Sequence, residues 1–132
     1  MASILKVDAL QGVTAAGSIL VTGEGNSTTT NLQQGLAKAY LTFDQTVPEV
    51  DGSFNVASVT DNAAGNWNVN YTHNMNNTTY SWSIGGQDGR FAGVNTGSVP
   101  TTSTIRYYTR ITNTAALIDV NLNTAGIHGD LA

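Results

Sequence analysis

Few side chains in this sequence can do chemistry, and their spacing decides what kind. Nine residues are Asp or Glu, five are Lys or Arg, two are His and none is Cys. Disulfides and thiol catalysis are thereby excluded. The carboxylates are scattered. Asp51, Asp61 and Asp88 stand in "DG" and "DN" contexts, where a short carboxylate bonds the backbone of its own turn. His73 and His128 stand beside turn-like stretches, and no local motif supplies either with a nucleophile and an orienting acid. "HGD" at 128–130 lacks partners at zinc-like spacing. "DNAAGN" at 61–66 lacks the alternating oxygen ligands and distal Glu of a calcium loop. The Gly-rich stretch 85–97 departs from the phosphate-loop pattern, and no Lys follows it. No catalytic, cofactor-binding or metal-ligating residue is assigned, and the expectation is a protein that is not an enzyme and uses no cofactor.

Binding is better provided for. Arg106, Tyr108 and Arg110 recur every second residue in "STIRYYTRIT", and Arg90 lies upstream in "GGQDGRFAGVNTGSVPTT". Together they suit a recognition surface for a protein or a host-surface glycan. Alternation explains the same residues without a ligand: Tyr107 faces the core, Tyr108 is half-exposed and the arginines are solvated. Segment 85–102 carries five Gly and a Pro and reads as a long loop. Loops beyond about 12 to 15 residues are commonly functional or disordered.

Composition narrows the partners. Charged residues make up 11% of the chain, against about 25% in ordinary soluble domains. The polar surface is supplied instead by residues such as the 19 Thr and 14 Asn, which favour strands and turns. The net charge is −4 and the five basic residues are dispersed, so no phosphate-neutralising stripe exists and nucleic acid is not an expected partner. No apolar run approaches the roughly 20 residues of a membrane span, and "MASILKVDAL" lacks a signal peptide's long apolar region. The sequons at Asn26 and Asn77 are expected to be empty without secretion.

The elements that must position these groups are mostly strands. Short strands are expected over 3–10 and 17–23, with a small-residue connection between them and a loop over 24–30. Beyond residue 40 the period is two. Leu41, Phe43 and Val47 alternate, and "DG" at 51–52 marks a turn. "SFNVASVT" carries Phe54 and Val56 on one face, with a phase slip before Val59 that signals a bulge. "WNVNYT" and "TYSWSIG" put Trp67, Val69, Tyr71 and Tyr80, Trp82, Ile84 on single faces and read as a hairpin around "HNMNN". "STIRYYTRIT" and "LIDVNLN" complete the set. Turns about every 8 to 12 residues imply an antiparallel β-sandwich.

One helix interrupts this pattern, over 31–40. Asn31 is a good N-cap with Gln34 three residues on, and Leu32, Leu36 and Tyr40 recur at four-residue spacing. Gly35 costs about 1 kcal/mol in mid-helix, which points to close approach of another backbone. The helix either caps an open end of the β-domain or forms a self-association seam. Two domains are expected: an N-terminal arm, 1–30, and a helix-plus-sandwich domain, 31–132.

Three stretches, "MASILKVDALQG", "TTTNLQQGLAKAYLTF" and "DGSFNVASVTDNAAGNWNVNYTHNMNNTTYSW", resemble short virion structural proteins of marine tailed bacteriophages and modules of their tail fibres. "GIHGD" at 126–130 resembles that group's closing segment. The resemblance covers most of the chain and is weakest across 85–102. It implies a virion location after synthesis in the host cytoplasm, and other capsid or tail proteins as partners. It also implies a homotrimer, as fibre and decoration proteins commonly are, with Leu32, Gly35, Leu36 and Tyr40 at the seam. The expected function is capsid decoration or a fibre-like part attached through the arm. The alternative is a receptor- or carbohydrate-binding tip.

Overall fold

Period-two alternation governs the chain from Ala37 onward, because a strand between two neighbours hides every second side chain and pairs its whole backbone. The computed structural model describes residues 4, 6–13, 19–22, 29–87, 90–94, 97 and 99–132. The chain divides into two compact units, Met1–Leu36 and Ala37–Ala132.

In the first unit, β1 (Leu20–Thr22) and β2 (Thr29–Asn31) pair antiparallel, and one helical turn, α1 (Leu32–Gly35), follows directly. The Leu32 amide donates to the Ile19 carbonyl at 2.9 Å, which fixes the turn against the strand pair. Residues 4 and 6–13 are irregular, so the strand expected over 3–10 is absent from its described part. The expected connection at 14–17 and loop at 24–28 lie outside the described residues.

Among the described residues the second unit holds eight strands: β3 (Ala37–Asp44), β4 (Glu49–Phe54), β5 (Val56–Ala63), β6 (Asn66–Tyr71), β7 (Ser81–Gly86), β8 (Arg90–Val94), β9 (Thr104–Ile111) and β10 (Asn123–His128). They form two four-stranded sheets, ordered β4-β3-β10-β7 and β5-β6-β9-β8, with every pairing antiparallel. The expectation of a mostly β fold built from antiparallel sheets therefore holds.

The inner strands supply the core. Ala39, Leu41 and Phe43 of β3, Trp67 and Val69 of β6, Ile105 and Tyr107 of β9, and Ala125 and Ile127 of β10 are buried in one cluster with Met75. The Trp67 ring lies 5.4 Å from Phe43 of the other sheet and 4.9 Å from Tyr107 beside it. The larger aliphatic side chains and Phe43 each contribute about 1.5–3 kcal/mol by leaving water.

Several expectations need correction, among them the single strand over 53–60, since Phe54 ends β4 in one sheet and Val56 begins β5 in the other. The helix over 31–40 is a single turn, and residues 37–44 are a strand. Gly35 weakens the helix, while continuing as a strand buries Ala39, Leu41 and Phe43 between two paired neighbours. That gain exceeds anything a two-turn helix retains in water. The aromatic hairpin is also absent. β6 pairs with β5 and β9, whereas β7 pairs with β10 in the other sheet. "HNMNN" is the crossing between sheets, with Met75 buried within it. The final strand is Asn123–His128 rather than 117–123. Leu117 makes only an isolated bridge to Arg110, while Asn123, Ala125 and Ile127 take the inward positions. Lastly, the segment 85–102 is not one loop, since β8 runs through it beside β9.

Turn chemistry also differs in detail. Asp51 lies at the bulge in β4 where register slips opposite Thr42 and Phe43, and Asp61 lies inside β5. The turn between β3 and β4 falls at 45–48 instead, where Asp44 accepts from the Thr46 amide at 2.8 Å and the Thr46 hydroxyl at 2.6 Å. The bulge before Val59 is present. Asn55, at φ 56°, turns the chain from one sheet into the other. Its side chain donates to the Lys38 and His73 carbonyls, each at 3.0 Å, and accepts from the His73 amide at 2.7 Å. Asn tolerates this left-handed conformation better than other side-chain-bearing residues.

Candidate functional site

The outward face of β9 carries Arg106, Tyr108 and Arg110, because Ile105, Tyr107 and Thr109 take the buried phase. Tyr108 lies opposite Asn66 of β6 and Gly93 of β8, and Arg106 lies opposite Asn68. Arg106 donates from Nε to Asn66 Oδ1 at 2.7 Å, and the Arg110 guanidinium sits 4.5 Å from the Tyr108 ring centre. The amides continue the pattern toward β5. Asn62 donates to Asn68 at 3.1 Å, and Asn70 donates to Ser58 and Thr60 at 3.0 and 3.2 Å. Three of the four residues expected to form a recognition surface thus share one face. That face already spends much of its hydrogen-bonding capacity internally.

Arg90 is separated from them. It pairs with Ile111, in the same phase as Thr109 and Tyr107, so it occupies the opposite side of the sheet. There it borders a depression of about 270 Å³ with Thr46, Gln87, Asp119 and Asn121. Asp88 and Gly89, and residues 95, 96 and 98 of the expected loop, lie outside the described residues.

The expected oligomer seam is divided too. Leu32 and Leu36 line an apolar groove of about 530 Å³ in the first unit, with Val7, Leu10 and Ile19. Among the described residues, a side chain added at Gly35 would meet the Thr30 methyl at 3.7 Å and no close backbone, so no such approach explains this glycine there. Tyr40 belongs to β3, and its outward position follows from Ala39 and Leu41 pointing in. The three apolar residues are therefore not a stripe on one helix.

Sequence reasoning missed what Tyr40 does join. It lies directly opposite Phe54 of β4, and the two rings stack at 6.1 Å with an interplanar angle of 23°. Each is 50% exposed. Across the sheet, Gly126 faces Tyr40 and Ser83 faces Gly126. One step along, Thr42 is flanked by Gly52 and Thr124, and Thr124 by Gly85. An exposed aromatic pair thus borders a floor of glycines and hydroxyls. The inward alternation of Leu41 and Phe43 was the available signal, overridden by the four-residue spacing of Leu32, Leu36 and Tyr40.

Four other titratable groups are engaged by the fold itself. Asp119 accepts from the Gly65 amide at 2.6 Å. The Thr46 hydroxyl holds the Asp44 carboxyl below the usual carboxylate range. Burial pushes the Tyr71 and Tyr107 hydroxyls above the ordinary phenol range. Among the described residues, no group of three His, Cys, Asp or Glu side chains is placed to hold a metal ion. No family model, curated protein or solved structure matches this chain.

Proposed function

We propose that this chain is a non-enzymatic structural component of a bacteriophage virion, a homotrimeric capsid-decoration or fibre-like protein. A β-sandwich, residues 37–132, forms its body, and the N-terminal segment joins it to other virion proteins. The observation that carries the reading is the exposure of the first unit. Ile4, Val7, Leu10, Val13, Leu20, Val21 and Leu36 are all at least half-exposed, and Val7, Leu10 and Leu36 line a groove with Asp8 and Gln11. Exposed apolar surface of this kind marks a site of association.

Sedimentation should give about three times 13.8 kDa. Leu36→Asp places an unpaired carboxylate in the groove and should dissociate the trimer. Deleting residues 1–25 should abolish incorporation into particles. A wild-type monomer, or a trimer indifferent to Leu36→Asp, refutes the groove as seam. The competing reading is a receptor- or glycan-binding tip working through Arg106, Tyr108 and Arg110. What favours it is the shared outward face of those residues. If the truncated protein still joins particles while Arg106→Ala and Arg110→Ala abolish host-cell binding, the tip reading replaces the structural one.

A further inference from the structure

We infer that the outward face of the β4-β3-β10-β7 sheet is a binding site for a neutral saccharide, with Tyr40 and Phe54 as the stacking platform. The inference stands whether or not the virion reading does. Each ring is half-exposed, and exposed aromatic rings attract the polarised C–H faces of sugar rings through their negative π-clouds. Beside them the floor is low. A side chain added at Gly52 would meet nothing within 4 Å, whereas one at Gly126 would meet Ser83 Oγ at 3.1 Å and one at Gly85 would meet Thr124 Oγ1 at 2.7 Å. Two glycines thus leave room for hydroxyls, and the third leaves the shelf open. From Tyr40 to β7 the shelf spans two strand spacings, about 10 Å. That is room for one or two six-membered rings.

Area and charge select the occupant. An aromatic side chain covers roughly 150–250 Å², so two half-exposed rings offer on the order of 200 Å². A stable protein partner needs about 800 Å² on each side. The platform is therefore too small to anchor a second protein, but it matches a stacked sugar. Its floor offers the hydroxyls of Thr42, Thr124 and Ser83, which complement hydroxyl groups, and beyond Thr42 in the same outward phase Asp44 stands opposite Glu49, a carboxylate pair that disfavours carboxylates and sulfates. Apolar walls with a few convergent polar groups are the usual composition of a small-ligand site.

The test uses the full-length protein, with saturation-transfer NMR and calorimetry. The probes are maltohexaose, cellohexaose, xylohexaose and a galactan oligomer, with alginate and polygalacturonate oligomers as acidic comparators. At least one neutral oligosaccharide should bind, with saturation transferred to its ring protons. Tyr40→Ala and Phe54→Ala should each weaken binding about tenfold or more. Tyr40→Phe should stay within about threefold of wild type. Thr42→Val, which keeps shape and removes a hydroxyl, should weaken binding severalfold without altering the circular dichroism spectrum. Asp61→Asn, exposed on β5 of the other sheet, should leave binding unchanged. No binding of any neutral probe at millimolar concentration overturns the inference. So does preference for the acidic oligomers, or binding that survives Tyr40→Ala combined with Phe54→Ala.

Discussion

Gly65 shows how much one residue can decide. It sits at φ 62° in the two-residue turn between β5 and β6. A Cβ there would lie 2.5 Å from both the Ile118 amide nitrogen and the Thr109 carbonyl oxygen. Backbone conformation and close approach therefore both demand glycine. Gly65→Ala should cost at least about 2 kcal/mol, read as a lower urea midpoint with an unchanged slope. Tyrosines act at the same scale. Tyr71, Tyr80 and Tyr107 have hydroxyls raised above the usual range, with burial the leading cause. The unfolded chain releases these protons near pH 10, while the folded chain retains them. Stability should therefore be flat through neutral pH and fall as pH climbs above about 10. The Tyr107 hydroxyl is buried without a hydrogen-bond partner among the described residues. Tyr107→Phe should then be nearly neutral at pH 7 and should make the alkaline loss shallower. An equal loss in wild type and variant would show that Tyr107 is not among the groups responsible.

At the scale of elements, the pairing of β7 was the part least accessible from local pattern. Two aromatic strands separated by a polar stretch read as a hairpin, yet each pairs elsewhere. The reason is the connection. Met75 between them is buried, its amide donates to the Thr102 carbonyl at 2.8 Å, and the Asn76 amide donates to the Asp130 carbonyl at 2.8 Å. The connection is thus tied to both sheets, and a tight turn could not satisfy these bonds. Cross-linking separates the topologies cleanly because the chain has no Cys. Thr42→Cys with Thr124→Cys, opposed on β3 and β10, should form an intramolecular disulfide under mild oxidation. Asn68→Cys with Ser83→Cys would face each other in the hairpin but lie on different sheets here. That pair should stay reduced within a monomer, and its efficient closure would refute the sheet order.

At the scale of the whole molecule, the division at Leu36/Ala37 separates two kinds of sequence. Every residue of the buried aromatic and aliphatic cluster lies in 37–132. A fragment of residues 37–132 should therefore fold alone, with a β-type circular dichroism spectrum and one cooperative thermal transition. It should also be monomeric if the groove around Leu32 and Leu36 is the association surface. A fragment that stays trimeric would move the seam into the β-unit. A fragment that fails to fold would make the first unit part of the core's support.

Period-two alternation in the sequence was enough to determine the β class, the buried phase of Leu41 and Phe43 and of β6 and β9, the bulge before Val59 and the outward placement of Arg106, Tyr108 and Arg110. Each of these depends on neighbours one or two residues away, and backbone geometry enforces them locally. Tertiary structure decided whatever depended on choosing between partners far apart in the chain. It turned "AKAYLTFD" into a strand, because burying Leu41 and Phe43 between β4 and β10 outweighs a short helix interrupted by glycine. It sent β7 to β10, and it set Arg90 on the opposite side of the sheet from the other arginines. It also brought Tyr40 and Phe54 together over a floor of glycines. That pairing follows from the register of β3 with β4, which the hydrogen-bonded ladder fixes and no local spacing in the sequence encodes.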